Sequence, residues 1–157
     1  MVSKSESSAK IREMSHDDLP LILDIERRSY DFPWSHNIFH DCQSAGYNCI
    51  VLCQQERVVG YAILSIAASE AHVLNLCVDP DFRALGYGGL LLDELLHYAR
   101  SAQVREVFLE VRPSNKIAIG LYLKRGFYQI ADRKEYYQAN NGRENACVFA
   151  KKLFIDS

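Results

Sequence analysis

Residues 83–89 read Arg83-Ala84-Leu85-Gly86-Tyr87-Gly88-Gly89, and the reading of this stretch decides the reading of the chain. It follows an apolar run, His72–Val78, that Asp79-Pro80 stops, because proline has no N–H to give a sheet ladder. It precedes Leu90–Ser101, where Leu91, Leu92, Leu95, Leu96, Tyr98 and Ala99 recur at helical spacing. A strand, a glycine turn and a helix in that order make an anion cradle. Glycines admit close approach of the backbone, and the first N–H groups of the helix point outward without intrahelical partners. The ligand that suits such a cradle is a phosphate or pyrophosphate; a plain tight turn is the alternative. A dinucleotide fingerprint starting at Gly86-Tyr87-Gly88 has Leu91 where its third glycine belongs, and it follows a third or later strand. The Gly-Lys-Ser/Thr of a P-loop is absent.

Outward from the turn, the chain alternates strands and helices. Residues 1–8 are polar and Ser-rich and read as a loose tail ahead of one domain over 9–157. Ala9–Met14 reads as a short strand. Ser15 with Asp18 three residues on opens a helix carrying Leu19, Ile22, Leu23 and Ile25 through about Ser29. Phe32-Pro33-Trp34 breaks it, and Ser35 caps a second helix, His36–Ser44, ended by Gly46. Tyr47–Cys53 and Val58–Ala67 read as a hairpin joined by residues 54–57. After the glycine turn and its helix come a strand, Glu106–Val111, and a helix from Pro113-Ser114-Asn115 to about Arg125-Gly126. The last strands, Phe127–Tyr137 and Cys147–Phe154, flank a loop holding Asn140-Asn141-Gly142. The order β-α-α-β-β-β-α-β-α-β-β predicts an α/β fold, a mixed sheet with helices on its faces.

Composition narrows the function. The chain has 157 residues, 48% hydrophobic and 24% charged, an ordinary globular composition long enough to bury a core without staples. Eighteen Lys and Arg against twenty Asp and Glu give a net charge of −2. That argues against bare nucleic acid as the partner, which needs a concentrated basic surface, and leaves room for a basic protein or peptide. The five cysteines, Cys42, Cys49, Cys53, Cys77 and Cys147, are odd in number and contain no C-x-x-C. They read as buried reduced thiols of a cytoplasmic protein, with Cys49 and Cys53 on one strand face. A zinc site would need a second cluster, and only His36 and His40 are near, so no metal is expected. The N-terminus lacks the apolar core of a signal peptide, and the longest apolar stretch, near Tyr61–Ala68, is too short to span a bilayer.

The pattern R-x-x-G-x-G after Val78-Asp79-Pro80 resembles the acetyl-coenzyme A pyrophosphate loop of the GCN5-related N-acetyltransferase (GNAT) superfamily. A second set, Leu109-Glu110-Val111, Asn115, Ala118, Leu121-Tyr122 and Gly126-Phe127, resembles that superfamily's next motif in order and spacing. Three further stretches resemble the bacterial ribosomal-protein-alanine N-acetyltransferase (RimI) family: Phe32-Pro33-Trp34-Ser35, Asn75 to Pro80, and Tyr136-Tyr137 with Asn141 to Ala146. The resemblance covers roughly residues 9–154. It implies a mixed sheet of about seven strands flanked by about four helices. It also implies acetyl-coenzyme A bound by Leu76, Cys77, Val78, Arg83, Ala84, Leu85, Gly86, Tyr87, Gly88, Gly89 and Asn115. The family often has Gln, Arg, Gln and Leu at positions 83, 84, 85 and 87, so side-chain contacts of this loop differ while its glycines are kept.

Acetyl transfer to an amine needs a neutral amine, a stabilised carbonyl oxygen and a protonated leaving thiolate. Glu110 is a lone acid within Val107-Phe108-Leu109-Glu110-Val111. Burial there would raise its pKa toward that of a general base; a pair with Arg112, two residues along on the same face, is the structural alternative. The resemblance implies the base. Tyr122 lies two helical turns after Asn115, a position for core packing on residue type alone. The resemblance implies that its hydroxyl is the general acid for the thiolate. Asn115 suits a helix cap and, by the resemblance, also touches the coenzyme. For the oxyanion, the donor is a backbone N–H near Cys77 or Val78. An acetyl-cysteine route through Cys77 has no activating His in the pattern, and the resemblance implies direct attack in a ternary complex. Phe32, Trp34, Tyr136 and Tyr137 sit in or beside loops and suit either substrate recognition or loop packing. Arg143 and Glu144 suit a peptide terminus or a solvated hairpin.

The leading expectation is a protein N-α-acetyltransferase acting on the N-terminal amine, by the resemblance an alanine, of a small-subunit ribosomal protein. The alternatives are an acetyltransferase for a Lys side chain or a small amine, since one fold hosts many acceptors, and a noncatalytic coenzyme-A-binding module.

Overall fold

The computed structural model describes residues 9–154; the tail read at 1–8 lies outside the described residues. The elements are β1 (Ala9–Glu13), a 3-10 turn (His16–Asp18), α1 (Leu19–Ser29), α2 (His36–Ser44), β2 (Asn48–Gln54), β3 (Arg57–Ala67) and β4 (Glu70–Val78). A second 3-10 turn (Pro80–Phe82) follows, then α3 (Tyr87–Ser101), β5 (Glu106–Val111), α4 (Lys116–Lys124), β6 (Tyr128–Ala139) and β7 (Gly142–Lys152). The strands form one mixed seven-stranded sheet in the order β1-β2-β3-β4-β5-β7-β6. The described residues form two compact units, 9–65 with 74–98 and 66–73 with 99–154, so β3, β4 and α3 each contribute to both.

In the first unit β1 pairs antiparallel with β2, and β2 with β3. The two-residue turn Gln55-Glu56 joins Gln54 to Arg57, and both its residues have positive φ, 52° and 72°. This is the backbone of a type I′ hairpin turn, which matches the right-handed twist of the flanking strands. Cys49, Val51 and Cys53 fall on one face of β2 and join a core with Leu19, Ile22, Ile25, Phe39, Tyr61, Ile63 and Cys77. α1 starts after a 3-10 turn in which Asp18 accepts the Ser15 N–H at 2.7 Å and takes the Arg12 guanidinium on both its oxygens. Gly60 is needed for close approach. A Cβ there would lie 3.1 Å from the Cys77 carbonyl oxygen and 3.1 Å from a methyl of Leu91.

In the second unit the first half of β4 pairs parallel with β5, and β5 and β6 each pair antiparallel with β7. β5 alternates buried Val107, Leu109 and Val111 with half-exposed Glu106, Phe108 and Glu110. Asn115 caps α4 by accepting the Ala118 N–H at 3.2 Å. The helix closes at Gly126, φ 90°, where the Phe127 N–H reaches back to the Tyr122 carbonyl, a Schellman-type ending. The hairpin after it differs from its reading as a loop around Asn140-Asn141-Gly142. Ala139 pairs with Gly142, leaving a two-residue turn, and β7 begins at Gly142 rather than Cys147. Its polar start, Gly142-Arg143-Glu144-Asn145, has no strand-like composition, and the ladder with β6 holds it extended.

The strained Gln55-Glu56 turn carries a prediction. Replacing the pair with Asn-Gly, which tolerates positive φ at both positions, stabilises the fold by about 1 kcal/mol. A rise in the thermal midpoint with unchanged secondary structure is expected; an unchanged or lower midpoint contradicts a left-handed turn.

Candidate active site

The glycine turn lies in the first unit. Asp79 and Arg28 fix its start. Asp79 is 1% exposed, and both its oxygens receive the Arg28 guanidinium, at 3.0 and 2.8 Å. Asp79 also accepts the Asp81 N–H at 2.9 Å, and its own N–H donates to the Val59 carbonyl at 2.8 Å. A buried carboxylate held this way is stabilised by charge-assisted donors, and the Arg28 guanidinium holds its pKa below the ordinary carboxylate value. Arg83 turns back and donates to the Val78 carbonyl at 3.2 Å. The backbone then takes positive φ at Ala84, 64°, and Gly86, 84°, before α3 begins at Tyr87. The Leu90 N–H donates to the Gly86 carbonyl at 3.2 Å, the first helical bond of α3. The N–H groups of Tyr87, Gly88 and Gly89 precede that bond and are the helix's donors for an outside ligand. Nothing lies within 4 Å of a Cβ placed on Gly86, so the turn is open above that residue. An open turn ending in free helical donors fits a pyrophosphate.

Leu76, Cys77 and Val78 form the end of β4 in the same unit. The Leu76 carbonyl accepts the Tyr30 hydroxyl at 3.4 Å. Cys77 is 3% exposed, and burial pushes its thiol up. A buried thiol whose thiolate is disfavoured is a poor nucleophile. Phe32 is 38% exposed, whereas Trp34 is half-buried against the core with its ring 5.1 Å from that of Phe39.

The other candidates lie in the second unit. Glu110 is half-buried, with its carboxylate 3.6 Å from the Arg133 guanidinium. Arg112, the partner that strand alternation offered it, reaches instead to Glu144 at 3.2 Å and to the Gln138 carbonyl at 2.7 Å. Arg112 also lies 4.4 Å from the Tyr137 ring centre, and Arg133 lies 4.1 Å from that of Tyr136. The two tyrosine rings meet edge to face at 4.9 Å. An irregularity between Arg133 and Tyr137, with Glu135 at φ 51°, redirects the strand here. The Asn145 side chain accepts the Glu135 N–H, and Arg143 donates to the Glu135 carbonyl, each at 2.9 Å. The second oxygen of Glu144 accepts the Ser114 N–H at 3.1 Å. Arg143 and Glu144 thus tie the hairpin and the residues ahead of α4 in place, a role neither sequence reading of them contained. Burial, with Glu110 nearby, pushes the Tyr137 hydroxyl up, so it stays a protonated donor. Tyr122 is 6% exposed and packs against Phe127 and Phe149. Among the described residues no group of three or more His, Cys, Asp or Glu is arranged to hold a metal ion.

One polar residue escaped the sequence reading. Glu26 is 2% exposed and accepts the Trp34 N–H, the Tyr61 hydroxyl and the Asn75 amide. Its signal was its position: Leu19, Ile22, Leu23 and Glu26 follow i, i+3, i+4, i+7, so an acid stands on the apolar stripe of α1.

The family model described as the acetyltransferase (GNAT) family matches residues 11–127. The chain belongs to that family. It is 37% identical over 137 residues, 87% of its length, to the [ribosomal protein bS18]-alanine N-acetyltransferase of Salmonella typhimurium, covering 93% of that protein. The crystal structure of the ribosomal-protein-S18-alanine N-acetyltransferase from Escherichia coli superposes with a TM-score of 0.88 at 34% identity, over 95% of this chain and 96% of that one. Ard1 from Thermoplasma volcanium superposes with a TM-score of 0.85 at 28% identity, over 94% of this chain and 99% of that one. Among the described residues no helix is long and apolar enough to cross a membrane.

The Arg28–Asp79 pair sets the prediction from this site. Asp79→Asn removes the carboxylate that takes two guanidinium nitrogens of Arg28; because Arg28 is partly solvated and keeps Asp24 at 2.9 Å, the loss of stability is about 1 kcal/mol. Because folding depresses the Asp79 pKa, the pair's contribution is complete above the ordinary value of 3.8 and fades as pH falls through the lower folded value. Denaturant unfolding from pH 7 to pH 3 is expected to show the gap between wild type and Asp79→Asn narrowing at the acid end. A gap that stays constant contradicts the pairing.

Proposed function

We propose that the chain transfers acetyl from acetyl-coenzyme A to the α-amine of the N-terminal alanine of ribosomal protein bS18, in the cytoplasm. The observation that carries this reading is its 37% identity across 87% of its length to a protein named for that activity. Acetyl-coenzyme A supplies an activated thioester. On this reading the N–H groups of Tyr87, Gly88 and Gly89 hold its pyrophosphate, with Arg83, Ala84, Leu85 and Gly86 around it, and Asn115 touches the coenzyme. Leu76, Cys77 and Val78 line the acetyl end, where a backbone N–H of Cys77 or Val78 donates to the carbonyl oxygen as charge develops. Glu110 removes the proton of the incoming ammonium, directly or through water. The Tyr122 hydroxyl returns a proton to the departing sulfur. Phe32 and Trp34 in the first unit, and Tyr136 and Tyr137 in the second, are the residues that recognise a small first residue of the acceptor.

A magnitude favours the α-amine over a Lys side chain. A peptide α-amine has a pKa of about 8 and a Lys side chain about 10.4. Near pH 7.5 roughly a quarter of the first is neutral and about 0.1% of the second, a gap of about 200-fold. A site relying on one half-buried carboxylate suits the easier amine.

The test is a pair of peptides. One begins with alanine and copies the bS18 N-terminus; the other carries the same sequence with a blocked N-terminus and an internal Lys. The first is expected to be acetylated at its α-amine with kcat/KM at least about tenfold higher. With the first peptide, Tyr122→Phe should lower kcat on the order of 10²-fold while coenzyme affinity holds. Comparable rates on the two peptides would favour a Lys or small-amine acceptor, and a full rate for Tyr122→Phe would make Tyr122 a packing residue.

A further inference from the structure

We infer that Glu26 is the positioning residue of the acceptor loop: it holds the Trp34 backbone and so sets the shape of the pocket that selects the first residue of the substrate. The inference rests on the proposed role of Phe32 and Trp34. The loop leaves α1 at Ser29 and enters α2 at His36, and Phe32-Pro33-Trp34 lies in no regular element, so its backbone groups need partners from elsewhere. Glu26, one turn before the end of α1, supplies one. Its Oε2 accepts the Trp34 N–H at 2.9 Å. Its Oε1 accepts the Tyr61 hydroxyl at 2.7 Å and the Asn75 amide at 3.2 Å.

The side-chain contacts close the same circuit. The Trp34 ring lies 5.1 Å from Phe39, and Phe39 meets Tyr61 edge to face at 5.7 Å. Tyr61 returns to Glu26 through its hydroxyl. Trp34 is therefore fixed twice, by its N–H and by its ring, and both fixings converge on one carboxylate. Asn75 brings in β4 one residue before Leu76 and Cys77. One buried carboxylate thus references the acceptor loop to the strand end that the acetyl group would meet. Tyr61 could be held by packing alone, but the Trp34 N–H needs an acceptor at that point.

Two variants and a control separate positioning from bulk stability. Glu26→Ala removes both acceptor oxygens and with them all three hydrogen bonds. Glu26→Gln keeps one oxygen for the Trp34 N–H, while its amide can donate to the Tyr61 hydroxyl and to a flipped Asn75. Tyr61→Phe removes a donor from Glu26 and leaves the Trp34 bond intact. Trp34 is the single tryptophan of the chain, so fluorescence reports this loop alone. Glu26→Ala is expected to shift the emission to the red and to raise the KM of the alanine peptide on the order of tenfold, with acetyl-coenzyme A affinity unchanged. It should also narrow the preference for alanine over a bulky first residue. Glu26→Gln is expected to restore emission and selectivity, and Tyr61→Phe to lower stability with selectivity kept.

Hydrogen exchange of the Trp34 amide in the wild-type protein reads the bond without substrate or mutation: slow exchange is expected. Fast exchange overturns the inference even where Glu26→Ala fails to fold. So do normal selectivity in a folded Glu26→Ala and an equal loss in Tyr61→Phe. Inactivity of the wild type on the alanine peptide would instead count against the proposed acceptor, and the exchange and emission results would stand apart from it.

Discussion

The Arg28–Asp79 pair is the constraint on which the glycine turn of the first unit depends. Asp79 stands between the last residue of β4 and the 3-10 turn that leads to the glycines, and it is 1% exposed. A buried carboxylate without partners would cost several kcal/mol. Here the guanidinium of α1 takes both oxygens, and the Asp81 N–H adds a third donor. The Asp79 N–H is meanwhile spent on Val59 in β3. Helix, strand and turn therefore meet at one residue, and the exit direction of the chain is set before Ala84 and Gly86 take their left-handed conformations. The pair defines where the free donors of α3 point. Gly60 serves the same end sterically, letting β3 approach the Cys77 carbonyl and Leu91 where a Cβ would be crowded by both at 3.1 Å.

The second unit uses charge differently. Arg112 and Arg133 each lie over a tyrosine of the hairpin while also meeting a carboxylate, Glu144 and Glu110 respectively. Cation–π contact and ion pairing together place Tyr136 and Tyr137 beside the acid proposed as the base. The Arg133–Glu110 pair is loose at 3.6 Å and half open to solvent on the Arg133 side. Glu110 is therefore opposed by a loosely placed, solvent-exposed cation rather than by a buried one.

Elements whose cause is local were legible in the sequence. The glycine turn, the Gln54–Arg57 hairpin, the Asn115 cap and the Gly126 ending all follow from spacing, capping or the conformational range of a single residue. The features that hold the sites in place were not. Arg28 reaches across 51 positions to Asp79, and Glu26 across 35 to Tyr61. No period or motif encodes such pairs; Asp79 read only as the companion of a strand-stopping proline. The partner of Glu110 was open for the same reason. Strand alternation offered Arg112, but the adjacent hairpin, closing with a bulge at Glu135, delivered Arg133. The polar start of β7 was hidden because its extension comes from its neighbour's hydrogen bonds and not from its own composition.

The central claim is that the glycine turn and the first N–H groups of α3 receive the pyrophosphate of the coenzyme. Backbone amide shifts measured while the protein is titrated test it most directly, with coenzyme A in one series and an acetylated pantetheine fragment lacking the pyrophosphate in the other. The account predicts that coenzyme A moves the amides of Gly86, Tyr87, Gly88 and Gly89 strongly and that the fragment leaves them in place. Saturable binding of coenzyme A with those four amides unmoved, or equal shifts from both ligands, would contradict it.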